Sequence, residues 1–81
     1  MNSHIVVYGR DNCPWCEKAK QLLTLKNVKF SYLALGLHYT KEDLVAKVGY
    51  SDGLTVPQIF KGDEYIGGYQ DLVAYLEKNE L

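Results

Sequence analysis

Apolar positions along the chain follow two different periods. His4-Ile5-Val6-Val7-Tyr8 is a β-branched and aromatic run that predicts a strand. From Pro14 to Leu25, Ala19, Leu22 and Leu23 fall on one face and predict a helix of about three turns, closed by Lys26-Asn27. Val28-Lys29-Phe30-Ser31-Tyr32-Leu33 alternates apolar with polar before turning wholly apolar, which predicts a second strand. Strand, helix and strand make a βαβ unit, whose crossover is expected to be right-handed with the strands parallel.

Leu35-Gly36-Leu37-His38-Tyr39 reads as a loop. Thr40 then caps a second helix, with Asp43 in the place of the usual capping-box Glu, Leu44, Val45 and Val48 as its buried face, and Gly49 as its stop. Tyr50-Ser51-Asp52-Gly53 is a turn-rich loop leading to Leu54-Thr55-Val56-Pro57. Gln58-Ile59-Phe60, the turn Lys61-Gly62-Asp63-Glu64 and Tyr65-Ile66 predict a β-hairpin that ends at Gly67-Gly68. Leu72, Val73 and Leu76 mark a last amphipathic helix from Tyr69 to about Glu80. The order βαβ-α-ββα implies an α/β fold with a four-stranded mixed sheet flanked by three helices.

Composition narrows the function. Eighty-one residues make one domain with a small core, and 47% hydrophobic residues suffice to build it. A net charge of −1 gives no general attraction to nucleic acid or to an anionic membrane, so neither is expected as a partner. No apolar run approaches the roughly 20 residues that span a bilayer, and no basic segment followed by an apolar signal stretch opens the chain. A cytoplasmic protein is expected. In a reducing compartment two closely spaced cysteines point to catalysis rather than to a stabilising disulfide.

Both cysteines lie in Cys13-Pro14-Trp15-Cys16, between the first strand and the first helix. Pro14 suits the first helical position, because its φ is already helical and the N–H it lacks would have no intrahelical partner. Cys13 therefore stands at a helix start, where unpaired N–H groups and the partial positive charge of the dipole favour thiolate over thiol. Cys16 follows one turn later on the same face, within reach of a disulfide. A structural disulfide, a pair of inert thiols or half of a zinc site are the competing readings. His4 and His38 would have to complete the zinc set, yet their spacing follows no usual zinc pattern. The βα context favours a redox dithiol and no metal.

Cys-x-x-Cys alone leaves thioredoxins, ribonucleotide-reductase redoxins and thiol isomerases open. Three motifs in order narrow the field: Cys13-Pro14-Trp15-Cys16, Thr55-Val56-Pro57 within Thr55-Val56-Pro57-Gln58-Ile59-Phe60, and Gly67-Gly68-Tyr69-Gln70-Asp71. Together they resemble the glutaredoxins, small members of the thioredoxin-fold superfamily, over nearly the whole chain.

That resemblance implies a thioredoxin-like fold, a cis Pro57, and a glutathione groove. In it, backbone groups of Val56 beside Thr55 would pair with the cysteinyl backbone of glutathione as a very short added strand. Gly68 would allow close approach, the N–H groups of Gln70 and Asp71 would hold the γ-glutamyl carboxylate, and the Asp71 side chain would face the ammonium. Arg10 and Lys41 would take the glycine carboxylate, and Trp15 would flank the sulfur. Ordinary alternatives accompany each: a trans proline, a first-turn acid at Asp71, solvated cations at Arg10 and Lys41, a half-buried ring at Trp15.

The chain departs from the family at Gln70, where relatives often carry serine or aspartate, and in a Tyr50 to Leu54 loop longer than that of several short relatives. Asp11 and Asp52 add negative charge near the expected site. Tyr39 and His38 take no role from the resemblance and read as loop surface or partial core. No base is needed, since a thiolate attacks a disulfide directly.

The resemblance implies a dithiol enzyme reducing protein disulfides and glutathione mixed disulfides. Cys13 would be the nucleophile and Cys16 the resolving thiol, with glutathione as reducing co-substrate and no tightly bound cofactor. Its partners would be glutathione and disulfide-bearing or glutathionylated proteins, ribonucleotide reductase among the candidates, and a monomer is expected. Competing functions are a redoxin recharged by a flavoprotein reductase and an iron–sulfur cluster carrier.

Overall fold

A computed structural model describes residues 4–78. Seven elements run in the order β1 (Ile5–Gly9), α1 (Pro14–Leu25), β2 (Phe30–Ala34), α2 (Lys41–Val48), β3 (Gln58–Lys61), β4 (Glu64–Gly67) and α3 (Tyr69–Lys78). The sheet order is β2-β1-β3-β4, with β1 parallel to β2 and antiparallel to β3, and β3 antiparallel to β4. The expected four-stranded mixed sheet with three helices is therefore present.

Alternation along the strands sorts side chains onto two faces. Ile5 and Val7 of β1 and Ile59 of β3 join Ala19 and Leu23 of α1 and Leu72 of α3 in one buried cluster. Burying each large aliphatic side chain there contributes about 1.5–3 kcal/mol. The opposite face carries Tyr8, in edge contact with Tyr39 at 5.0 Å and with Phe60 at 5.7 Å. Lys47 of α2 lies 4.9 Å over the Phe60 ring, which puts α2 on this second face.

Several boundaries move, those of the hairpin included, since Lys61 and Glu64, read as turn, pair in the β3–β4 ladder and β4 runs on to Gly67. β1 begins at Ile5 and takes in Gly9 rather than starting at His4. β2 begins at Phe30, not Val28, because the Val28 N–H bonds back to the Leu23 carbonyl at 2.9 Å and finishes the turn that closes α1. The register explains the start, since Phe30 is the residue opposite Ile5. The expected face of α2 is also narrower: Leu44 is buried, while Val45 and Val48 are only half-buried. The capping box is complete, with Thr40 Oγ1 accepting the Asp43 N–H at 3.1 Å and Asp43 Oδ2 accepting the Thr40 N–H at 2.9 Å. Gly49 ends α2 at φ 91°, a left-handed conformation that a side chain would strain. The end of α3 expected near Glu80 lies outside the described residues.

Candidate active site

The dithiol is built by the βα turn. Asn12 adopts φ 55°, which swings the chain out of β1, and Cys13 is the N-cap of α1 in extended conformation with Pro14 behind it. Cys13 and Cys16 form a disulfide with Cα atoms 5.2 Å apart. The Cys13 sulfur accepts the Cys16 N–H at 3.2 Å, so the atom itself caps the helix. Cys13 keeps 5% of its surface while Cys16 keeps none. Of the two residues, only Cys13 reaches the surface.

Two tyrosines hold the backbone leading into this turn. The Gly9 carbonyl accepts from Tyr39 Oη at 2.8 Å and from the Leu35 N–H at 2.9 Å, and the Arg10 carbonyl accepts from Tyr32 Oη at 3.1 Å. Tyr39 is 7% exposed, and burial pushes its phenol up to about 12, so it stays a neutral donor. A Cβ on Gly9 would collide with the Tyr32 ring, which is why the strand ends in glycine. His38 closes the loop instead, its Nδ1 accepting the Ala34 N–H at 2.9 Å. His4 Nε2 lies 2.7 Å from Ser31 Oγ. Among the described residues no group of three or more His, Cys, Asp or Glu gathers as for a metal.

Beside the disulfide opens a groove of about 700 Å³. Its lining holds every residue expected to bind glutathione: Arg10, Trp15, Lys41, Thr55, Val56, Pro57, Gly68, Gln70 and Asp71. The Val56–Pro57 peptide is cis, and the Val56 carbonyl oxygen lies 3.9 Å from the Cys13 sulfur. In the disulfide the sulfur has no hydrogen to give, so this is a contact and not a hydrogen bond. Trp15 is 48% exposed, packed against Tyr69 at 5.5 Å with Lys18 4.7 Å over its ring. It is therefore half-buried, with its open part at the groove.

Arg10 does not point freely into the groove. Its Nη1 donates to the carbonyls of Asp11 and Asn12, both at 3.1 Å, which leaves the rest of the guanidinium for a ligand. At the other side, Gly68 accepts the Leu72 N–H and is thus the N-cap of α3, while its own N–H donates to Asp71 Oδ2 at 3.0 Å. Gly67, at φ 122°, has no room for a Cβ against that carboxylate. Leu35, Tyr39, Leu44, Leu54 and Tyr69 also line the groove, and the sequence pattern had assigned them no part in it. Tyr69 carried a usable signal, being the aromatic between the glycine pair and Gln70.

The glutaredoxin family model matches residues 5–66. The chain belongs to the glutaredoxin family. It is 40% identical over 80 residues to glutaredoxin 1 of Escherichia coli (strain K12), covering 91% of this chain and 93% of that relative. Its identity to a Vibrio cholerae glutaredoxin is 38% over 81 residues, covering 93% and 92% of the two chains. The solved structure of reduced Escherichia coli glutaredoxin matches with a TM-score of 0.76 at 38% identity, over 94% of this chain and 95% of that one. The fold is the thioredoxin-like fold of glutaredoxins, and the protein is a thiol–disulfide oxidoreductase. Neither the redoxin nor the iron–sulfur carrier reading is favoured. No helix among the described residues is long and apolar enough to cross a membrane.

Proposed function

We propose that this oxidoreductase is glutathione-dependent, with Cys13 as nucleophile, Cys16 as resolving thiol, and the groove as the seat of glutathione. One observation carries the reading: the Val56 backbone reaches the Cys13 sulfur from inside a groove that has cations and a helix N-terminus on opposite sides. Arg10 follows the end of β1 and Lys41 opens α2 on the second face of the sheet, whereas Gln70 and Asp71 come from α3 on the first. Glutathione has its glycine carboxylate at one end and its γ-glutamyl carboxylate and ammonium at the other, which suits that division of charge.

On a glutathionylated protein, the Cys13 thiolate attacks the glutathione sulfur. A Cys13–glutathione disulfide forms, the mixed disulfide breaks, and the protein leaves as a thiolate that takes a proton from water. A second glutathione thiolate then attacks the bound glutathione sulfur, giving oxidised glutathione and regenerating the Cys13 thiolate. On a protein disulfide, Cys13 forms the mixed disulfide and Cys16 attacks Cys13, expelling the second protein thiol. Two glutathiones reopen the resulting Cys13–Cys16 bond.

We take residues 1–81 as one domain acting as a monomer in the cytoplasm, with disulfide-bearing or glutathionylated proteins, such as ribonucleotide reductase, as partners. The solitary dithiol, suited to a reducing compartment, supports that setting. Single-turnover assays test the roles. Cys13→Ser should abolish both reactions, and Cys16→Ser should lose protein-disulfide reduction while keeping deglutathionylation. Equal loss in both variants on both substrates would overturn the assignment.

A further inference from the structure

Gln58 is the buried polar side chain of the described core, 4% exposed at the start of β3. A buried carboxamide must satisfy both of its ends. Here Nε2 donates to the Thr55 carbonyl at 2.6 Å, and Oε1 accepts from the hydroxyl of Tyr65 on β4. A carbonyl can only accept, so the amide nitrogen belongs on the Thr55 side and the tyrosine must donate. The Tyr65 hydrogen is thereby used, and Tyr50 Oη, 3.4 Å from Tyr65 Oη, is the donor in that weaker contact. The Tyr65 ring lies against Phe60 at 5.1 Å, with one edge exposed and its hydroxyl turned inward. Burial pushes that phenol up to about 12, which keeps the donor in place at any working pH.

Thr55 shares a planar peptide with Val56. In a trans peptide the carbonyl and the following N–H leave on opposite edges of one plane, so fixing one aims the other. Gln58 does not line the groove, whereas Thr55 and Val56 do. Drawing the Thr55 oxygen toward Gln58 therefore turns the Val56 N–H away from the core.

We propose that Gln58 and Tyr65 are positioning residues, which hold the Thr55 carbonyl and so aim the Val56 backbone at the bound substrate. The inference rests on the groove being the glutathione seat, and it adds to that reading a control lodged in the hairpin behind it. Neither side chain touches the reacting sulfur; both act through the peptide between Thr55 and Val56.

The test compares Tyr65→Phe, Gln58→Met and the double variant in steady-state reduction of a glutathionylated peptide. Tyr65→Phe keeps the ring against Phe60 and lies at a partly exposed position, so folding is preserved. It should raise the KM for glutathione roughly threefold to tenfold, the worth of one hydrogen bond, with kcat at saturating glutathione and alkylation of Cys13 unchanged. Gln58→Met should do at least as much, and adding Tyr65→Phe to it should do nothing further, because the hydroxyl acts through the amide. Hydrogen exchange at the Val56 amide, measured without glutathione, should quicken in Tyr65→Phe. Unchanged Val56 exchange, a fall in melting temperature with unaltered KM, or additive effects in the double variant would overturn the proposal. Wild-type enzyme that turns over no faster with glutathione than without it would instead overturn the functional reading, and the exchange measurement would still decide this one.

Discussion

The starts of α2 and α3 are built from the same elements and finished differently. At α2, Thr40 and Asp43 satisfy each other's N–H groups, and the end of the helix is closed on itself. At α3, Asp71 plays the part of Asp43 and accepts the Gly68 N–H, but Gly68 has no side chain with which to answer. Helix starts leave four N–H groups without intrahelical partners. The α2 start spends a side chain on one of them, the Asp43 N–H, and the α3 start has no capping side chain to offer the N–H groups of Gln70 and Asp71, residues that line the groove. The start of α1 is a third case, since its cap is the Cys13 sulfur, the atom that reacts. A closed start contributes stability; an open one costs some of it and gains a place for negative charge.

Asp71→Asn breaks this comparison most sharply. Asparagine can still accept the Gly68 N–H, so the helix start survives, but the charge facing the proposed glutathione ammonium is gone. A charge-assisted contact contributes roughly 1.5–3 kcal/mol, so the KM for glutathione should rise about tenfold or more while the melting temperature barely moves. A fall in melting temperature with unchanged glutathione kinetics would make Asp71 a helix-start residue and nothing else.

Thr40→Ala is the matching change at the closed start. Removing the cap should cost about 1 kcal/mol and lower the melting temperature by about 4–8 °C, with glutathione kinetics unaltered. A rise in KM alongside would mean that the start of α2 also serves to hold Lys41 in the groove.

These two helix starts were unequally legible in the sequence. Thr40 and Asp43 are three apart before an apolar run, a local pattern that states its own geometry, and α2 begins where it said. The dithiol and its βα setting were equally local. Val28 misled because an apolar–polar alternation cannot show that its N–H is already spent on closing α1. Tyr39 is buried because β1 ends beneath it and offers the Gly9 carbonyl, and Gln58 is satisfied from β4, seven residues further on. Such partners meet only when the sheet is assembled. The groove residues were found through whole motifs of a known family, whereas the apolar lining from Leu35, Leu44 and Leu54 belonged to no motif.

The smallest effect is expected at Gly68, where the open start can be closed by design. A Cβ there would meet only the Pro57 carbonyl at 3.6 Å, an ordinary contact, so Gly68→Ser fits without strain. Its hydroxyl would accept an N–H from the first turn of α3 and finish the box that Asp71 has half made. Serine improves on glycine as an N-cap by only a few tenths of a kcal/mol, so the melting temperature should rise by roughly 1–2 °C. Glutathione would then have to displace that cap, and the penalty equals what the cap gained, which raises KM by no more than about twofold. Gly68→Ala adds the same Cβ without the oxygen and separates the two terms: it should not raise the melting temperature and should leave KM near wild type. If alanine raises KM as much as serine does, the glycine is kept for the space above Pro57, and the free N–H groups of α3 have no part in holding the ligand.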